Sequence, residues 1–178
     1  LPLVLPPTVL GFYLLLVLAP ASPVGRAWEA VTGGTLAFSF QGLLIASVLY
    51  SLPFAVQPFT SALAAVDQGL VEAAWCLGAS PWRTFFRVIV PLARPGILTG
   101  VILSFAHTMG EFGVVLMVGG NLPGTTRTVS ISIYGDVQAL EYGRAGRTAA
   151  VLLALSFFVL ALTYRLQRRP GAPWPVRS

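Results

Sequence analysis

Lysine is absent from this chain of 178 residues, and all 11 basic residues are arginine. A phosphate-cradling Gly-x-x-x-x-Gly-Lys-Ser/Thr loop therefore cannot exist, and that route to holding ATP is closed. The single cysteine, Cys76, excludes an internal disulfide framework and a cysteine zinc cluster. The single histidine, His107, leaves no His-based metal site. Charge is scarce as well, at 10% of residues. Soluble domains carry about 25%. So little polar material cannot cover a water-facing surface, which excludes most soluble enzymes and disordered tails. The net charge of +5 comes from a few scattered arginines, which is not the basic stripe of a nucleic-acid reader. The start, Leu1-Pro2-Leu3, has no methionine and no basic n-region, so it does not read as a signal peptide. We expect an upstream segment, with a further span, to precede it.

What is present is hydrophobic. Apolar residues make up 56% of the chain, and mean hydropathy is +0.80. An all-α polytopic membrane protein is the class that fits. A span needs about 20 apolar residues, and the charges divide the chain into four candidates. These are residues 3–19, 36–66, 95–118 and 148–165. The second is long, and Pro53 and Pro58 inside it predict a kink or a re-entrant bend. The third is interrupted by one acid, Glu111.

Four spans place the 67–94 loop on the same side as the 169–178 tail. That side carries Arg83, Arg87, Arg94, Arg165, Arg168, Arg169 and Arg177. The other carries Arg26, Arg127, Arg144 and Arg147, diluted by Glu29, Asp136 and Glu141. An excess of Arg marks the cytoplasmic side, so the loop and tail are expected there.

The loop reads as two short helices. Leu70, Val71, Ala74 and Leu77 fall on one face of the first. Gly78-Ala79 permits a break, and Ser80-Pro81 suits a restart, with Ser as cap and Pro at the first helical position. Trp82, Phe85, Phe86 and Ile89 then recur at helical spacing, with Arg83 and Arg87 elsewhere on the surface. Pro91 is expected to end this second helix. Such an amphipathic, basic helix suits the lipid headgroup layer. It also suits a soluble partner that grips the exposed face.

Glu72-Ala73-Ala74, three residues, Gly78, nine residues, then Val88-x-Val90-Pro91 resembles the Glu-Ala-Ala signature of ABC-importer permeases. The departures are Val for Ile and Val for Leu. The resemblance implies coupling helices that dock, with Arg83, into an ATPase subunit. It continues beyond the loop. Phe105-Ala106 through Gly110-Glu111-Phe112-Gly113, the run Gly119-Gly120-Asn121-Leu122-Pro123-Gly124-Thr125-Thr126-Arg127-Thr128, Ile131-x-Ile133-Tyr134 and the stretch Leu3 to Tyr13 are similar to the oxyanion branch of these permeases. Phe112, where sulfate permeases usually have Tyr, points to molybdate within that branch.

The resemblance covers about residues 1–168 and implies the type I ABC importer permease fold over that range. It implies a non-catalytic subunit in a bacterial or archaeal cytoplasmic (inner) membrane. Expected partners are a second permease copy, a cytoplasmic ATPase dimer holding ATP and Mg, an extracytoplasmic molybdate-binding protein and membrane lipid. No cofactor on this chain and no nucleic acid are expected. Sulfate or tungstate transport is the nearest alternative. A passive channel is another, as is an intramembrane protease built on Ser104 and His107.

His107, Gly110, Glu111, Gly113 and Asn121 are the candidates for a gate or pathway. A carboxylate repels an oxyanion, so Glu111 is expected to hold a neighbouring segment rather than the cargo. His107 lies one turn before it on the same helix face, which makes a contact between them plausible. Gly110, Gly113, Gly119 and Gly120 suit close packing of helices through small residues, with pore lining as the alternative. Arg127 is expected in a solvated loop or at a contact with the binding protein.

Overall fold

The computed structural model describes residues 5–167. Arg168, Arg169, Arg177, the 169–178 tail and the first four residues, which open the expected 3–19 span, lie outside that range. Every regular element among the described residues is helical.

Helix α1, Pro7–Leu18, opens with proline at its first position. Helix α2, Pro23–Thr32, follows at a bend of 55°. One side chain closes both ends of the bend. The Ser22 hydroxyl donates to the carbonyl of Val17 (2.5 Å) and accepts from the amide of Gly25 (2.8 Å). The 12 residues of α1 cannot cross a bilayer alone. The span expected at 3–19 is instead the first limb of a broken pair, because Pro20 and the Ser22-Pro23 cap restart the helix in a new direction.

Helix α3, Phe40–Ala64, runs unbroken through Pro53 and Pro58, so the re-entrant bend considered for this block does not form. A helix satisfies its own backbone, which favours continuity in a membrane even at the cost of two missing amides. Helix α4, Gln68–Cys76, and helix α5, Pro81–Thr84, come next. A π-helical turn, Phe85–Ile89, joins α5 directly to α6, Val90–Gly110. Pro91 therefore does not end the second loop helix. Ahead of it the Val90 amide bonds the Phe85 carbonyl, five residues back. Widening the turn by one residue is a known way to pass an irregularity without breaking a helix. The result is one span-length helix from Pro81 to Gly110.

The third expected span, 95–118, is also corrected. The helix ends at Gly110, Glu111 is extended, and a separate short helix α7 covers Gly113–Gly119. Helix α8, Val129–Gln138, precedes the last long helix α9, Tyr142–Gln167. Among the described residues three helices are long and apolar enough to cross a membrane, and the bent α1–α2 pair makes a fourth when counted as one span. Crossing in turn, α3, α5–α6 and α9 put the α4–α5 loop and the end of α9 on one side.

Two contacts organise the helices. Helices α3 and α6 lie close because α6 carries Gly96 and Gly100 at a spacing of four. A Cβ on Gly100 would fall 2.6 Å from the Phe59 ring and 3.0 Å from the Ala55 carbonyl, and one on Gly96 would collide with Ala62. Small residues at that spacing let two backbones approach. The second contact is α7 itself, whose Val114, Val115 and Val118 are almost wholly buried among α1, α3 and their neighbours. A helix this short has more free backbone groups than internal bonds. Neighbouring loops take them. The Glu111 carboxylate accepts from the Val114 amide (2.9 Å), the Phe38 amide donates to Val118 (2.9 Å), and the Thr126 hydroxyl donates to Gly119 (2.5 Å).

Candidate functional site

The α4–α5 loop is built by local hydrogen bonding. Asp67 caps α4 by accepting from the Gly69 amide (2.8 Å). The far end closes as a Schellman motif. The Ala79 amide reaches back to Ala74, and the Gly78 amide to Trp75. Gly78 stands at φ +78°, the left-handed conformation this termination requires. Ser80 then caps α5, accepting from the Arg83 amide (3.4 Å), and Pro81 takes the first position. Ala74 and Gly78 thus belong to one termination device.

The tip of the loop faces outward. Glu72, Ala73, Gly78 and Arg83 are exposed, Ala74, Val88 and Val90 are half-buried, and Pro91 is exposed. Leu77 and Trp82 show 87% and 74% of their surface, large values for apolar side chains. An open hollow of about 510 Å³ lies between Trp75, Trp82, Phe85 and Ile89. The Thr84 hydroxyl beside it is buried and has no hydrogen-bond partner. On the inner side Val71 packs with Val66 and Ala93, which ties α4 to the start of α6. An exposed apolar tip on a rigid pair of helices can receive a partner and pass its displacement to α3 and α6.

The second group of candidates divides. His107 and Glu111 come together, with Nε2 and Oε2 4.0 Å apart. Gly113 packs against Pro7, and Gly119 against Leu43 and Thr126. Gly120 takes φ +67° beside Phe38, whereas Gly110 is open. Asn121 does not join the His107 group. Its Oδ1 accepts from Arg127 Nε (2.7 Å), within a loop folded around the Leu122 carbonyl. Among the described residues no group of three or more His, Cys, Asp or Glu side chains gathers.

Ser104 does not pair with His107. Its hydroxyl donates to the Ser51 carbonyl (3.4 Å), and the hydroxyl facing His107 Nδ1 belongs to Ser51 (3.2 Å). Ser51 also meets Thr108 (2.6 Å). Sequence reasoning missed Ser51 and Thr108. The available signals were spacings of four: Ser47 and Ser51 in apolar α3, and Gly96, Gly100, Ser104 and Thr108 along α6.

With this geometry the relatives can be weighed. The profile of the family described as "Binding-protein-dependent transport system inner membrane component" matches residues 1–170. The Molybdenum transport system permease protein ModB of Azotobacter vinelandii is 54% identical over 168 residues, covering 94% of this chain and 74% of that protein. ModB of Escherichia coli (strain K12) is 37% identical over 162 residues, covering 91% of this chain and 70% of that protein. A "Probable sulfate transport system permease protein" of Chlorokybus atmophyticus is 39% identical over 160 residues, covering 90% and 56%. The α4–α5 loop, the spans around it and a profile match over nearly the whole length lead to one statement: this chain belongs to the family of inner-membrane components of binding-protein-dependent transport systems.

Proposed function

We propose that this chain is the permease subunit of an ATP-driven importer, and that two copies line a pathway for molybdate. An extracytoplasmic binding protein delivers the oxyanion. Two ATPase subunits, holding ATP and Mg, grip the tips formed by Glu72 to Val90. Residues 1–168 act as one transmembrane domain, with 169–178 as a cytoplasmic tail. The observation that carries the reading is the rigid α4–α5 loop, whose apolar tip projects while its base packs on Val66 and Ala93. ATP binding draws the two tips together, and the packed α3–α6 pairs follow as rigid bodies. His107, Gly110, Glu111, Gly113 and Asn121 serve the gate and the outer mouth, and Arg83 serves the ATPase contact.

The identity to the Azotobacter protein, 54%, favours molybdate. The sulfate permease at 39% keeps sulfate as the second reading. Reconstituting the full transporter and measuring uptake of labelled molybdate against sulfate and tungstate tests both. Uptake should require ATP, the ATPase and the binding protein. Uptake without the ATPase would make the chain a passive channel, and stronger competition by sulfate would reassign the cargo.

A further inference from the structure

His107 is the only histidine of the sequence, and its ring lies between α3 and the last turn of α6. From α3, Phe54 stacks on it (centroids 3.8 Å apart) and Tyr50 lies against it (5.0 Å). Ser51 Oγ is 3.2 Å from Nδ1, and 2.6 Å from Thr108 Oγ1 of α6. Thr108 Oγ1 is in turn 2.8 Å from the Ser104 carbonyl. On the other edge Nε2 faces Glu111. Glu111 holds two further elements: its carboxylate accepts from the first turn of α7 at Val114, and its carbonyl accepts the Ser130 hydroxyl of α8 (2.5 Å).

Each hydroxyl has one proton to give, and with Glu111 ionised two arrangements are consistent. In the first, Thr108 donates to the Ser104 carbonyl and Ser51 donates to Thr108. His107 Nδ1 must then donate to Ser51. Nε2 needs a proton too, because a carboxylate only accepts. The ring is an imidazolium paired with Glu111. In the second, the ring is neutral. Nε2–H faces Glu111, Ser51 donates to Nδ1, and Thr108 turns from the Ser104 carbonyl to Ser51. The same atoms serve both arrangements at the same separations. The Phe54 ring, stacked on the imidazole, suits the charged one, since aromatic faces attract cations.

We propose that Ser51, Thr108, His107 and Glu111 form a proton-operated latch that ties the α3–α6 pair to the α6–α7 break. With His107 charged, Glu111 is held by an ion pair, and α7 and α8 are held with it. With His107 neutral, the tie is weaker and α7 and α8 are freer to shift. Glu111 and Tyr50 are the titratable groups facing the ring, while Phe54, Ser51, Ser104 and Thr108 bring no charge. Ser51 is a positioning residue, acting through the ring. The inference rests on the permease reading for its effect on transport, but its proton arrangement can be measured without transport.

Two measurements test it. Nitrogen-15 spectroscopy of the histidine-labelled full chain in lipid reads the ring directly. A neutral ring protonated at Nε2 should convert on acidification to one protonated at both nitrogens. Ser51→Ala should shift the Nδ1 resonance, and Ser51→Thr should return it. A neutral ring protonated at Nδ1, or a spectrum indifferent to Ser51→Ala, overturns the latch. The second measurement is ATP-driven uptake by the reconstituted transporter. From about pH 5.5 to about pH 8.5 the rate should rise roughly three- to tenfold, the shift that one net hydrogen bond supports. His107→Gln should flatten that profile, and Ser51→Thr should keep more of it than Ser51→Ala. An unchanged profile in His107→Gln overturns the latch. If the wild-type transporter shows no ATP-driven uptake at any pH, the permease reading fails, and the ring resonances alone decide the latch.

Discussion

Gly78 shows how much one conformation can matter. Beyond its chain neighbours nothing lies within 4 Å of where its Cβ would sit, so an added Cβ meets no clash. The cost comes from φ +78° alone, about 1–2 kcal/mol for an L-residue in that region. Gly78→Val should therefore leave membrane insertion intact but misdirect α5 relative to α4. We expect ATP-driven uptake to fall several-fold with normal amounts of protein in the membrane, and undiminished uptake would remove the loop from the coupling path. Glu111 behaves differently, because it is buried and its two oxygens have different duties. Glu111→Gln keeps an acceptor for the Val114 amide and removes the charge facing His107. The expected outcome is lower thermal stability and uptake that no longer slows on acidification, with unchanged apparent affinity for the oxyanion. A large gain in affinity with normal turnover would instead put the carboxylate beside the anion.

Helix α6 can be tested along its small-residue stripe. Gly100→Leu places a branched side chain where a single Cβ already meets the Phe59 ring and the Ala55 carbonyl. Overpacking of this kind costs about 1–3 kcal/mol, so thermal unfolding in detergent should show a clear loss. Gly110→Ala, on the same helix but in open space, should change stability little. The contrast separates close packing from helix propensity. Helix α6 also shows which parts of the fold the sequence revealed. Ser80-Pro81 was legible because a cap and a first-turn proline act within four residues. Pro91 was not, because whether a proline ends a helix depends on the hydrogen bonds upstream, and here a π-turn lets the helix continue. The break at Glu111 was equally hidden. Helix α7 is as apolar as a span, and hydropathy does not distinguish lipid outside from protein packed all round. The two-helix form of the α4–α5 loop was readable because its signals are local. The partners of His107 were not, since Ser51 lies 56 residues away on another helix.

At the scale of the whole molecule, orientation is the property everything else depends on. Arg83, Arg87 and Arg94 give the expectation, by charge bias, that the α4–α5 loop faces the cytoplasm. The path of α3, α5–α6 and α9 puts the end of α9, with Arg165, on that same side. The chain carries its own reporter, because its single cysteine, Cys76, is exposed at the last turn of α4. A membrane-impermeant maleimide should label Cys76 in inside-out vesicles and leave it untouched in intact cells or right-side-out vesicles. Asn121→Cys, made on a Cys76→Ser background, should show the reverse, since its loop leads from α7 to α8 on the other side of the crossing helices. If the ATPase docks on this loop, adding it to inside-out vesicles should then slow labelling of Cys76, which is exposed two residues before Gly78. Labelling of Cys76 from outside would invert the topology and leave the coupling loop unable to meet a cytoplasmic motor. Labelling from inside that the ATPase leaves unchanged would keep the topology and move the contact elsewhere on the loop.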